Sequence, residues 1–240
     1  MELSKITKAA RKALKLRRCG AVIVAAGSAS RMGGIDKVMA PLKGQPMIVH
    51  TVRAFQECDA ISEIVIVTRE DLILPITDLC KGFSKVQAVV AGGASRQESV
   101  NHGLSVLSKE TELAAIQDGA RPLVSWQLID RVVRAANSYG GAVPVIPVKD
   151  TIKVTDSALV LSTPDRSTLR AVQTPQVFDL DLLKAAMKKV EEEGLEITDD
   201  CSAVETLGFK VKTVEGHESN LKVTTPFDLK IAEAWMEELQ

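Results

Sequence analysis

Two cations, Arg31 and Lys37, share a segment of small residues, Ala25-Ala26-Gly27-Ser28-Ala29-Ser30-Arg31-Met32-Gly33-Gly34-Ile35-Asp36-Lys37. Small side chains let backbone N–H groups approach an anion, and an arginine and a lysine then bring charge to it. This is chemistry for holding an anion. A second small-residue run, Gly92-Gly93-Ala94-Ser95-Arg96-Gln97-Glu98-Ser99, leads into a helical pattern, and a helix start suits polar ligand contacts. A third, Asp118-Gly119-Ala120-Arg121-Pro122, sets a carboxylate where Mg²⁺ could be held beside phosphates. Each has a plainer alternative. The first could be a turn with solvated charges, Ser95 and Glu98 could be only a capping box, and Asp118 could be a turn or cap residue. The first loop is not a Walker A loop, because no G-x-x-x-x-G-K-[ST] occurs. Nor is it a dinucleotide fingerprint, since Ala29 and Met32 occupy the second and third glycine positions.

These loops need a scaffold, and the hydrophobic pattern supplies one. Cys19–Ala26, Glu63–Thr68 and Val86–Val90 read as buried strands, as does Leu113–Gln117, which ends at Asp118. Helical periodicity covers Pro46–Phe55, a helix from Ser95 to about Leu107, and Ser125–Ser138, stopped by Gly140-Gly141. Gly141–Pro147 is a fifth strand. Alternation of strands and helices from Cys19 to about Gly141 predicts an α/β fold, a mostly parallel sheet flanked by helices, with ligands at the strands' carboxyl ends. From about 147 to 173 the pattern becomes turn-broken and alternating, which predicts a hairpin or arm. A helix over Asp179–Glu193 closed by Gly194, a short helix over Thr198–Leu207, a strand over Lys210–Val214 and a helix opened by Thr225-Pro226 complete the chain.

Composition narrows the function classes. The formal net charge of −1 and 3% aromatics speak against a nucleic-acid binder. Cys19, Cys58, Cys80 and Cys201 form no C-x-x-C pair, and His50, His102 and His217 are far apart, so no zinc site is legible. Scattered cysteines fit reduced thiols in the cytoplasm. No apolar run reaches membrane-spanning length. Residues 1–18 carry Lys5, Lys8, Arg11, Lys12, Lys15, Arg17 and Arg18 against Glu2 alone. They read as a solvated basic extension, or an organelle transit peptide poor in serine. The remaining 19–240 reads as a single domain.

The blocks AAGSASRM with Lys37, AGGASRQESV, DGARP at 118–122, PVKDTIK at 147–153, AVQTPQVF at 171–178, TDD at 198–200 and NLKVTTPFDL at 220–229 occur in this order. Together they resemble the 2-C-methyl-D-erythritol 4-phosphate cytidylyltransferase family, over about Gly20 to Ala234. The resemblance implies a Rossmann-like, nucleotide-diphospho-sugar transferase type of fold with a protruding β-arm at about 147–173, and a homodimer through interlocked arms. It implies transfer of CMP from CTP to a phosphorylated sugar alcohol in non-mevalonate isoprenoid synthesis, with Mg²⁺. By position, Arg31 and Lys37 would stabilise charge on the triphosphate. Ala25, Ala26, Gly27, Gly92, Ala94, Ser99 and Gly119 would line the nucleotide site, and Asp118 would hold metal and substrate. Arg121, Thr151, Thr174 and Thr198 would surround the sugar alcohol. Arg166, from the neighbouring subunit, and Lys222 would grip its phosphate. The chain departs from the family pattern at Ala29, usually glycine, at Asp36, usually proline or asparagine, and in a segment from Arg31 to Lys37 shorter by one residue.

The residue types suit that reaction. The nucleophile is a phosphate oxygen, anionic at neutral pH, so no general base is required. Positioning and charge neutralisation carry the rate. A ribitol-5-phosphate cytidylyltransferase is the nearest rival reading. A CTP-binding relative without turnover follows, and a nicotinamide oxidoreductase is a distant third.

Overall fold

The computed structural model describes residues 16–27 and 36–238. Residues 1–15 of the basic extension, Ala29 and Arg31 therefore lie outside the described residues, as does most of the segment from Arg31 to Lys37.

Strand β1 (Cys19–Val24) pairs in parallel with β2 (Ile61–Thr68) and β4 (Leu113–Asp118), and β2 with β3 (Val86–Ala91). Beyond β4 lies β9 (Gln176–Asp179), antiparallel to both β4 and β5 (Gly141–Pro147). Strand β10 (Lys212–Glu215) runs parallel along β5. Strand β8 (Arg170–Val172) is antiparallel to the far end of β5. Between β8 and β9 the ladder is interrupted at Gln173–Pro175, where Thr174-Pro175 is cis.

The parallel strands are apolar on both faces because both are covered. Ala21, Ile23, Ile64 and Ile66 point to one side, against α1 (Met47–Glu57), α2 (Ile73–Cys80) and α4 (Trp126–Tyr139). Val22, Val65 and Val67 point to the other, against α3 (Arg96–Val106) and α5 (Leu180–Glu193). All seven side chains are fully buried. Helix α3 lies close on the sheet because Gly103 has no side chain. A Cβ there would sit 2.3 Å from Val22 Cγ1 and 2.9 Å from Val67 Cγ2. Gly140 ends α4 at φ 80° and Gly194 ends α5 at φ 61°, left-handed conformations that favour glycine.

The 147–173 excursion carries a hairpin, β6 (Val154–Asp156) with β7 (Leu159–Ser162), exposed throughout. It is the arm that the turn-broken pattern anticipates.

Several boundaries differ from expectation. Strand β1 stops at Val24 rather than Ala26, because the two alanines already belong to the loop. Helix α2 was not anticipated, nor was β9, a strand of four residues directly after a proline. The short helix narrows to α6 (Asp200–Glu205), because Asp199 is its cap, and its reciprocal capping partner is Ser202. Lys212–Glu215 replaces the strand expected at Lys210–Val214. The box at Ser95 and Glu98 is only half formed. Ser95 Oγ accepts from Glu98 N at 3.0 Å, but the Glu98 carboxylate accepts from Ala94 N at 2.8 Å instead of from the cap residue. The last helix, α7 (Pro226–Glu238), packs by Ala232 against Leu42, Met47, Ala120 and Val223.

Candidate active site

At the carboxyl ends of the parallel strands lies a cavity of about 390 Å³. It is lined by Ala25, Ala26 and Gly27 after β1, Gly93 to Arg96 and Ser99 around the start of α3, Asp118 and Ala120 after β4, and by Lys37 and Lys222. Eight of the residues singled out in the sequence thus meet in one place: Ala25, Ala26, Gly27, Lys37, Ala94, Ser99, Asp118 and Lys222.

The small residues act mainly by packing. A Cβ on Gly92 would sit 2.5 Å from Ala26 Cβ and 2.7 Å from Ser99 Oγ, so glycine lets these two loops touch. Gly92 N donates to Thr68 O at 2.7 Å, Gly93 N to Ser99 Oγ at 3.1 Å and Ala94 N to Glu98. These amides are spent within the protein. Ser95 Oγ caps the helix and Glu98 closes back on Ala94, so in its first half, Gly92 to Ala94, the second loop shapes the wall and offers no amide to an anion. Gly119, behind the cavity, donates to Val24 O at 2.8 Å and accepts from Thr51 Oγ1 at 3.0 Å.

Asp118 is the charged hub. It is only 8% exposed. Its Oδ2 lies 3.2 Å from Arg121 Nε and 3.1 Å from Lys222 Nζ, and its backbone N–H donates to Thr174 Oγ1 at 3.1 Å. Burial pushes its pKa up, but Lys222, Arg121 and Arg96 more than offset this and hold the carboxyl below its ordinary value. Arg121 is buried as well, and it also donates to Asn220 O at 2.7 Å. Burial lowers its pKa, and Asp118 opposes that.

Lys37 opens a short 3-10 turn, Lys37–Met39. The turn is capped by Asp36, whose Oδ1 accepts from Val38 N at 3.0 Å. The other Asp36 oxygen pairs with Arg69, which is also gripped by Asp71 at 3.0 and 2.9 Å. The unusual Asp36 therefore has a partner at the end of β2, and this pair anchors the turn that carries Lys37.

Three predicted residues are elsewhere in the chain. Arg166 and Thr151 are exposed on the arm, where Arg166 Nη1 donates to Lys149 O at 2.8 Å. Within one chain, then, Arg166 and Lys222 do not share a cavity. Thr198 is exposed, its N–H donating to Ser202 Oγ at 3.3 Å.

Sequence reasoning missed a prominent pair. Arg96 lines the cavity and is held bidentately by Asp200, at 3.0 and 2.6 Å, and Asp200 is fully buried. Burial pushes the Asp200 carboxyl up and Arg96 pulls against it. For Arg96, Asp200 outweighs burial, so the guanidinium is held above its ordinary pKa. In the sequence, Asp199 and Asp200 fall inside the expected short helix Thr198–Leu207, and nothing local marks the second as turned inward. Gln173 and Asn220, both buried, were likewise passed over.

Among the described residues no three His, Cys, Asp or Glu side chains gather to form a metal cluster, and no helix is long and apolar enough to cross a membrane.

A family profile described as IspD, 2-C-methyl-D-erythritol 4-phosphate cytidylyltransferase, matches residues 19–238. The chain belongs to this family. It is therefore an enzyme of the nucleotidyltransferase kind. A relative from Caldanaerobacter subterraneus subsp. tengcongensis, named 2-C-methyl-D-erythritol 4-phosphate cytidylyltransferase, is 44% identical over 225 residues, 90% of this chain and 97% of its own. The crystal structure of 4-diphosphocytidyl-2C-methyl-D-erythritol synthase from Anaerococcus prevotii matches with a TM-score of 0.85 at 30% identity, covering 94% of this chain and 99% of that one. The cytidylyltransferase of Thermus thermophilus matches with a TM-score of 0.78 at 34% identity, covering 92% and 99%. These neighbours share the mostly parallel sheet flanked by helices.

Proposed function

We propose that this protein transfers CMP from CTP to 2-C-methyl-D-erythritol 4-phosphate in non-mevalonate isoprenoid synthesis. A phosphate oxygen of the acceptor attacks the α-phosphorus of CTP. The bond from that phosphorus to the β-phosphate oxygen breaks, pyrophosphate leaves, and 4-diphosphocytidyl-2-C-methyl-D-erythritol is formed. The observation that carries this reading is the convergence of Lys37, Asp118 and Lys222 on one cavity at the strand ends.

The nucleophile needs no deprotonation, so the site's work is placement and charge. Lys37 is suited to bear charge developing on the triphosphate, with Arg31 assigned the same role. Lys222 is suited to the acceptor phosphate as a point charge, and Arg121 and Thr174, both bonded to Asp118, to its surroundings. Ala25, Ala26, Gly27, Gly92, Ala94, Ser99 and Gly119 would leave room for the nucleotide. Asp118 fits a Mg²⁺ role: it is buried, its carboxyl is held below the ordinary pKa, and both its cationic partners engage Oδ2. Mg²⁺ is commonly bound by one or two carboxylates plus substrate phosphates, and it neutralises their charge.

The arm supports a homodimer. Leu159, Val160 and Leu161 are 73%, 60% and 64% exposed, more apolar surface than a short hairpin keeps without a partner. In such a dimer Arg166 and Thr151 would reach the neighbour's acceptor site, and residues from 19 onward would act as one catalytic unit. The cysteines, all buried and unpaired, fit the cytoplasm.

The test is pyrophosphate release with CTP and Mg²⁺, comparing methylerythritol 4-phosphate with ribitol 5-phosphate. Strong preference for the first is expected. Preference for ribitol phosphate would reassign the acceptor, and no release with either would leave a nucleotide-binding relative.

A further inference from the structure

Lys222 does its work from an irregular segment. Between the end of β10 at Glu215 and the start of α7 at Pro226 the chain has no ladder to hold it. Backbone bonds pin its two ends, Gly216 N to Val145 O at 2.9 Å and Val223 N to Ala120 O at 2.8 Å, and between them it is held by bonds to two buried side chains. Gln173 Nε2 donates to His217 O at 2.8 Å, and Gln173 Oε1 accepts from His217 N at 3.3 Å, as a neighbouring strand would. Asn220 Nδ2 donates to Thr174 O at 2.9 Å and to the same Gln173 Oε1 at 3.3 Å. The Asn220 backbone carbonyl accepts from Arg121, whose Nε lies against Asp118, and Asp118 in turn meets Lys222. The polar path thus runs from Asn220 through Arg121 and Asp118 to Lys222, two residues further along the same segment.

Gln173 and Asn220 are 4% and 1% exposed. Buried amides are normally bonded throughout, yet Asn220 Oδ1 has no partner. An apolar residue would avoid that loss, so the side chain is better explained by where it holds the segment than by stability alone. Gln173 also follows directly on β8, the strand that returns from the arm. One amide therefore joins the foot of the arm to the segment carrying Lys222.

We propose that Gln173 and Asn220 are positioning residues that set the reach of Lys222 into the cavity and tie it to the base of the arm. This rests on the assignment of Lys222 to the acceptor phosphate. Displacing a reacting group by about 1 Å is worth roughly a hundredfold in rate, so a loosened segment should be felt in turnover while nucleotide binding, at the other wall, is spared.

The experiment is a double-mutant cycle on the full chain. Asn220→Ala, Gln173→Leu and Lys222→Met are made singly, and each of the first two is combined with the third. Turnover, acceptor KM, CTP affinity and thermal unfolding are read for each. Asn220→Ala and Gln173→Leu are expected to lower kcat/KM for the acceptor by about ten- to a hundredfold, with CTP affinity within about threefold. In the Lys222→Met background the same changes should cost less than about threefold more, because the group they position is gone. Losses that multiply in full with that of Lys222→Met would overturn the proposal. So would losses that follow only the fraction of protein unfolded. If Lys222→Met alone leaves activity intact, the role given to Lys222 is what has failed, and that result is separate. Should Asn220→Ala not fold, Asn220→Ser and Gln173→Leu carry the same cycle.

Discussion

The parallel half of the sheet and the arm use the same residue types to opposite ends. In β1 and β2, valine and isoleucine are buried on both faces, with Val22, Ile23, Ile64, Val65, Ile66 and Val67 fully enclosed. In the arm's hairpin Leu159, Val160 and Leu161 face outward. Burial of apolar surface drives folding in the first region. In the second that surface is left over and available to another chain. The comparison teaches that apolar residues here hold the shape in one region and are left for a partner in the other; on the function proposed above, the nucleotide wall would be internal and the acceptor side would draw on the arm.

The sharpest way to probe that division is through the two lysines. Lys37→Ala should lower kcat by about 10²–10³-fold, the scale for removing one stabiliser of developing charge. Lys222→Met should act chiefly through the acceptor, leaving CTP affinity little changed. Steady-state kinetics with each substrate varied separates the two, and equal effects on both substrates would erase the distinction between the walls.

Stability should divide the same way. Ile66→Ala is expected to cost about 2–5 kcal/mol, seen in urea unfolding. Leu159→Asp should change the unfolding of the isolated chain by no more than about 0.5 kcal/mol while abolishing self-association in sedimentation. A large loss of stability from Leu159→Asp in a monomer would mean that the hairpin packs on its own chain.

Arg166→Ala should raise acceptor KM by about tenfold, the worth of a charged hydrogen bond, with CTP binding unaltered. An unchanged KM would remove Arg166 from the acceptor site. The smallest expected effect is in acid. The Asp118 carboxyl is held below its ordinary pKa, so its contribution to stability is present above the unfolded value, about 3.9, and is lost as pH falls through the depressed folded value. Removing Lys222 takes away the foremost cation opposing burial, so the Asp118 titration should move up in pH. Carboxyl NMR of the parent and of Lys222→Met would show it, and coincident titrations would mean that Lys222 does not face Asp118 in solution.

Much of this was readable beforehand where one residue pattern had one physical meaning. Ile64 to Val67 could only be a strand covered on both sides, and Asp118 at the end of such a strand had to lie at the mouth of the sheet. Gly140 announced the end of α4 for the same reason. What escaped was what depends on distant partners. Asp200 lay inside an expected short helix, and nothing local shows that it reaches Arg96, 104 residues away. Gln173 and Asn220 are 47 residues apart, and neither residue type signals burial. Strand β9 is too short for periodicity and begins after Pro175, so only its two neighbouring strands define it.

Gly103 has a consequence beyond packing. Substituting alanine for glycine inside a helix ordinarily stabilises it by about 1 kcal/mol, so this position would tempt anyone seeking a sturdier protein. Here the added methyl would meet Val22 and Val67, and the helix would have to ride up on the sheet. Arg96 and the lip of the cavity stand about 10 Å along the same helix, at 1.5 Å per residue. The missing methyl group thus works as a shim in reverse. Its absence lets α3 seat on the sheet, and a change made to toughen the scaffold would lift the end of the helix that lines the cavity.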